Sequence, residues 1–165
     1  MTLSPLLDAP LILQLHVAAA IPAILIGPFV LFRKRVDRWH KRLGYTWVVA
    51  MAALAIFGLF IQSHGGLWGH FGPLHGFSIL TLWSLWTGIA HARAGRIHAH
   101  RATFQGLWYG GIGGAGLMQF LPGRTINQMV FGGPSELGYV VIGLGVCGFA
   151  ALWYQQHGPA FGKTA

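Results

Sequence analysis

The sequence predicts an all-α integral membrane protein, a helical bundle with a four-helix core of two hairpin-like halves and a fifth transmembrane helix. Three observations predict it. Apolar residues make up 54% of the chain and charged residues 8%, against about a quarter charged in an ordinary soluble domain, so the few polar groups cannot coat a soluble globule. The apolar residues gather in five runs long enough to cross a bilayer. The basic residues gather in the connections between those runs, most of them on alternate connections. A soluble enzyme, a disordered tail and a secreted disulfide scaffold are excluded, the last because Cys147 is the single cysteine. The net charge of +8 records orientation in the membrane and does not imply nucleic acid.

The runs cover about residues 11–32, 45–62, 74–92, 103–121 and 137–154 of a single transmembrane domain spanning 1–165. Each has the roughly 20 residues that a helix needs to cross a ~30 Å hydrocarbon core, and in lipid only a helix satisfies its own backbone. Residues 1–10 carry no Lys or Arg, so the first run lacks the basic flank of a cleaved signal peptide and is expected to stay. Arg33, Lys34, Arg35, Arg38, Lys41 and Arg42 lie between the first two runs, and Arg93, Arg96 and Arg101 between the third and fourth. With Lys163 in the tail, ten of the eleven positive charges fall on one side, leaving Arg124 on the other. The positive-inside rule then places the N-terminus outside and the C-terminus in the cytoplasm. Trp39, Trp68 and Trp153 at run ends fit an aromatic belt, and Gly123, Gly132 and Gly133 mark turns in a longer outer loop.

A repeat runs through the first four helices. Leu15-His16 opens the first helix and Leu74-His75 the third; His40-Lys41-Arg42 closes one basic loop and His98-Ala99-His100-Arg101 the other. In this topology His16, His64, His70 and His75 fall at the outer side, and His40, His91, His98 and His100 at the inner side. An ionisable group inside a membrane helix is costly and marks a candidate site. One histidine from each half at equal depth makes a pair: His16 with His75 outside, His40 with His100 inside, with His91 as the substitute inner ligand. Neutral imidazoles bind haem iron and other transition metals, and a helical bundle can hold such a group between facing helices. Haem b is the cofactor that this pairing implies, with quinone or a redox partner subunit exchanging electrons. The face His16, Ala20, Ala23, Gly27 has the small side chains that leave room for a flat macrocycle.

Plainer readings stand beside these. Small-residue faces usually serve close helix packing, and Gly106, Gly110 and Gly114 are read that way, with a homo-oligomer through the Gly-rich fourth helix as one consequence. His40 and His100 beside basic residues fit contact with lipid phosphate or helix capping. His16 fits a hydrogen-bonded core residue, and His64, His70 and His98 fit solvated loops. Gln14, Gln62, Gln105 and Gln119 sit near run ends, where they serve helix–helix hydrogen bonds or a quinone head group. With Asp8, Asp37 and Glu136 as the only acids, paired-carboxylate chemistry has no material. Ser63 beside His64 lacks an acidic orienter, and no phosphate-loop or zinc-protease motif is present.

The span from His16 to about Arg124 resembles a bacterial family of predicted membrane proteins, domain of unknown function 2306. The resemblance rests on His16, on Gly27-Pro28, on the loop ending His40, Arg42, Gly44 and Tyr45, and on His100-Arg101. The sequence departs from the family pattern at Ala102-Thr103-Phe104, where an aromatic pair is usual, and in the Gly-rich fourth helix. The family implies a multi-helix protein of a bacterial inner membrane, without an assigned activity. More distantly, the helix count and paired histidines are similar to membrane b-type cytochromes. The reading is thus a b-type haem electron-transfer protein in contact with lipid and quinone. The alternatives are a non-enzymatic membrane subunit with structural histidines and a metal or small-solute transporter, which leaves enzymatic activity open.

Overall fold

The computed structural model describes residues 2–33, 36–62 and 72–157. All regular structure in these residues is helical. His64, His70, Ser63, Trp68, Lys34, Arg35 and Lys163 lie outside the described residues. The chain divides into two compact units, Leu3–Ala115 and Met1–Thr2 with Gly116–Ala165, and each is taken by itself.

The larger unit starts with a short helix, α1 (Ser4–Leu7), and α2 (Leu11–Leu31). The α1 end is fastened by Gln14, whose side-chain amide donates to the Leu7 and Ala9 carbonyls at 3.1 and 2.9 Å. Pro22 and Pro28 lie inside α2; each removes one backbone donor, which membrane helices tolerate because neighbouring groups re-satisfy the freed carbonyls. The second helix, α3 (Arg38–Leu59), starts seven residues before the apolar run. The basic stretch 38–44 is helical because Asp37 caps it, its carboxylate accepting the His40 N–H at 2.9 Å. Then come α4 (Pro73–Arg93) and α5 (Ile97–Leu107), joined by a turn at Gly95, whose φ of +73° favours glycine.

The predicted fourth helix, 103–121, is broken. It starts six residues early as α5, widens into a π-helix at Trp108–Gly114 and ends as α6 (Ala115–Met118). Gly110, Gly111, Gly113 and Gly114 lie in that π segment, where their missing side chains ease the wider turn. In sequence order α2 packs on α3, α3 on α4 and α4 on α5, and α5 touches α2 again. Gln105 on α5 donates to the Leu31 carbonyl of α2 at 3.3 Å. Four helices therefore surround one core of Ala23, Trp47, Ala50, Met51, Leu85, Phe104 and Leu107.

The polarity of this unit is that of a protein in lipid. Phe29 on α2 is 72% exposed and Trp86 on α4 is 64% exposed, while Ser78 and Thr81 of α4 are only 9% and 5% exposed. Large apolar side chains lie outward as well as in the core, and a few polar ones of α4 are buried, which suits a surface that meets lipid. Ile79, Leu82, Trp83 and Trp86 line an open apolar depression of about 390 Å³ on the lipid-facing side of α4. Helices α2 and α3 are long and apolar enough to cross a membrane, and Leu137–Leu152 is a shorter apolar stretch.

In the smaller unit the expected outer loop contains a helix, α7 (Thr125–Phe131), closed by Gly132 at φ +77°. Helix α8 (Leu137–His157) follows the fifth run closely. Asn127, fully buried, ties the unit: its amide donates to the Phe120 and Ser135 carbonyls at 2.8 and 2.9 Å, and its oxygen accepts the Ser135 N–H at 2.9 Å.

One pH prediction arises from the cap. The Asp37 carboxyl is held below the usual carboxylate range, first by the His40 N–H and then by the Arg33 guanidinium. A depressed folded value stabilises the α3 start above the unfolded value and loses that effect as pH falls through the folded one. The protection of amides at residues 38–42, measured as exchange relative to the intrinsic chemical rate at each pH, should fall as the carboxyl is protonated below the usual carboxylate range. Asp37→Asn keeps a capping oxygen and should remove this carboxyl's share of the pH response.

Candidate functional site

The inner end of the four-helix unit holds two of the predicted histidines together. His40, in the first turn of α3, lies within electrostatic reach of His100 and Arg101 of α5. His100 Nδ1 is 3.0 Å from the Gly88 carbonyl of α4. A carbonyl only accepts, so Nδ1 carries the proton and the lone pair of the neutral ring is at Nε2. The Val30 carbonyl of α2 takes a hydrogen bond from His40. His40 Nδ1 is buried with no partner among the described residues, so the donor is Nε2 and the lone pair is at Nδ1. The two hairpins thus repeat one device: a histidine opening the second helix bonds a carbonyl of the first. Phe104 stacks edge-on against His100 at 4.8 Å and against Trp47 at 5.4 Å.

The outer end is built differently. His16 Nδ1 donates to the Leu54 carbonyl of α3 at 2.9 Å, which leaves the lone pair at Nε2. His75 does not mirror it. The ring turns back on its own helix start, where Nδ1 lies 3.0 Å from the Gly72 N–H and 3.3 Å from the Gly72 carbonyl. The N–H can only donate and makes the shorter contact, so Nδ1 accepts and the proton sits on Nε2. His75 thus opens α4 as a cap.

The small-residue face of α2 is also filled. The Trp47 indole donates to the Ala23 carbonyl at 3.0 Å, and a Cβ on Gly27 would collide with the Trp108 indole. Ala23 and Gly27 therefore admit two indoles, the packing reading of that face, and leave no groove for a macrocycle there. Within the larger unit no atom lies within 4 Å of a Cβ built on Gly106, Gly110 or Gly114, so these glycines do not serve packing inside it.

His91 is half-buried near the α4 end, with Nδ1 buried and without a partner among the described residues. His98 is exposed, as a solvated residue should be. No group of three or more metal-ligating side chains converges among the described residues, so a site here rests on pairs. Sequence reasoning missed Ser78 and Thr81, which read as members of an apolar run. Their spacing from His75, three and six residues along one helix face, was the available signal.

The described residues form an all-helical fold in which two helices are long and apolar enough to cross a membrane. The chain belongs to the family described as predicted membrane protein, DUF2306, whose profile matches residues 13–147. No curated protein and no solved structure matches the chain, and the likeness to membrane b-type cytochromes gains no support from these comparisons.

Proposed function

We propose that this protein is a multi-pass redox carrier of the bacterial inner membrane, with His40 and His100 holding a transition-metal centre at the cytoplasmic side and with quinone as its exchange partner. The observation that supports it most is the orphaned Nδ1 of His40, buried beside a second imidazole that keeps its own lone pair at Nε2. Ligating histidines are commonly fixed by a hydrogen bond from the other ring nitrogen to a carbonyl, as Val30 and Gly88 provide here. Two neutral imidazoles without carboxylate or thiolate are the donor set of a bis-histidine haem b, which when bound supplies one-electron chemistry. Within the chain, the Val30 and Gly88 carbonyls fix the tautomers, Phe104 fixes the His100 ring plane, and Arg101 adds positive charge beside the pair. That charge favours the electron-rich state of any group held there.

The second reading is a non-enzymatic membrane subunit. It is favoured by the same carbonyl bonds, since His16, His40 and His100 each tie two helices together. A reduced-minus-oxidised spectrum with metal analysis of protein purified from its own membrane separates the two. The redox reading expects a haem difference band and about one iron per chain; a colourless, metal-free protein establishes the structural reading. Orientation has its own test. A reporter at the C-terminus should be active in the cytoplasm, and activity only in the periplasm would mean an even number of crossings or reversed insertion.

A further inference from the structure

One face of α3 carries a graded stripe. Arg38, Arg42, Tyr45, Val49 and Ile56 follow one another at spacings of three, four and seven residues. At 3.6 residues per turn these positions fall within about 60° of arc. All five are exposed, Tyr45 by 72%, Val49 by 67% and Ile56 by 44%. The stripe is cationic at the inner end, aromatic one turn later and aliphatic beyond. From Tyr45 to Ile56 it runs about 16 Å at 1.5 Å per residue, close to half of a ~30 Å hydrocarbon core. His40, which bonds the Val30 carbonyl of α2, falls on the opposite side of α3, so the stripe shares no residue with the inner pair.

Nothing nearby neutralises the cationic end. Asp37 is engaged by the His40 N–H and the Arg33 guanidinium, and among the described residues no carboxylate pairs with Arg38, Lys41 or Arg42. A guanidinium takes phosphate oxygens in a two-pronged geometry. Trp39 beside them is 53% exposed, an amphipathic ring of the kind found at head-group level. The order cationic, aromatic, aliphatic along one helix matches the order of phosphate, glycerol and acyl chain in a phospholipid. A soluble phosphate ester would leave the aliphatic part of the stripe without a partner, and a choline head group would bring a cation against two guanidiniums. We infer that this face of α3 holds an anionic phospholipid, its phosphate on Arg38 and Arg42, its glycerol at Tyr45 and one acyl chain along Val49 and Ile56. The inference goes beyond the redox reading and stands whether or not the inner pair holds a metal.

The test is electron spin resonance of trace chain-labelled phosphatidylglycerol and phosphatidylcholine, with the full chain reconstituted in phosphatidylcholine vesicles. The motionally restricted fraction of each label gives their relative association with the protein. Phosphatidylglycerol should be preferred at least about threefold, since each cation near a membrane surface adds measurably to the attraction for anionic lipid. Arg38→Gln with Arg42→Gln should bring that preference to about one. Arg93→Gln with Arg96→Gln, which removes equal charge from the connection between α4 and α5, should leave most of it. Millimolar glycerophosphoglycerol, the head group without chains, should not displace the label. Circular dichroism checks the fold of each variant, and Arg42→Gln alone, expected to lose about half of the preference, carries the test if the pair does not assemble. No preference in the unsubstituted chain, equal loss in the two double variants, or displacement by the soluble head group would each overturn the assignment.

Discussion

Replacing Trp47 by Ala should cost more stability than any other single truncation in the four-helix unit, about 2–4 kcal/mol. Trp47 is 1% exposed, donates to the Ala23 carbonyl and meets Phe104 edge-on. In soluble cores Trp→Ala costs roughly 3–5 kcal/mol, part of it the transfer of apolar surface out of water. A membrane helix has no such term, since the alternative environment is lipid. What remains is the cavity between α2, α3 and α5, the lost aromatic contact and the lost hydrogen bond. Trp47→Phe keeps most of the volume and should lose about 1 kcal/mol, close to one hydrogen bond. Reversible unfolding in detergent measures both. Equal losses for Ala and Phe would show that the hydrogen bond, not packing, carries the effect.

In the smaller unit the largest loss is expected from Asn127→Ala. One side chain satisfies two carbonyls and one N–H across the stretch from Phe120 to Ser135. Truncation orphans all three in a site with no measurable exposure, 0% at Asn127 itself. At about 1–3 kcal/mol per unmet buried group, partly relieved by entering water, the loss should exceed about 3 kcal/mol. Asn127→Asp retains the acceptor for Ser135 N–H but replaces the one nitrogen that makes both donations by an oxygen facing two carbonyls, so it should not rescue. Proteolysis should reveal the damage first in the 119–136 segment, and wild-type resistance there in Asn127→Ala would contradict this account.

Sequence pattern made the continuous uncharged helices legible, and α2 and α8 lie where their apolar runs do. It failed where charge and helix coincide. Residues 38–44 and 97–102 are basic and so read as loop, yet the Asp37 cap and the Gly95 turn make them the first turns of α3 and α5. The π segment was not legible either: a run of glycines permits a wider turn without dictating one. At the site, the inner grouping of His40 with His100 followed from the repeat of two hairpins. The contact of His75 with its own helix start was not legible, because His75 is three residues past Gly72 and depth alone cannot reveal so local a bond. Tautomers are also beyond sequence, since they depend on which nitrogen meets Leu54, Val30 or Gly88. The face of Ala23 and Gly27 carried the right residue types, but what fills it comes from Trp47 and Trp108 on other helices.

The measurement that tests the central claim most directly is the haem spectrum and iron content of His100→Ala beside His75→Ala, each purified from its own membrane at matched fold. Ligation by His40 and His100 predicts that His100→Ala loses the difference band and most of its iron, while His75→Ala keeps both. A centre that survives His100→Ala unchanged, or that disappears with His75→Ala alone, would contradict the assignment of the inner pair.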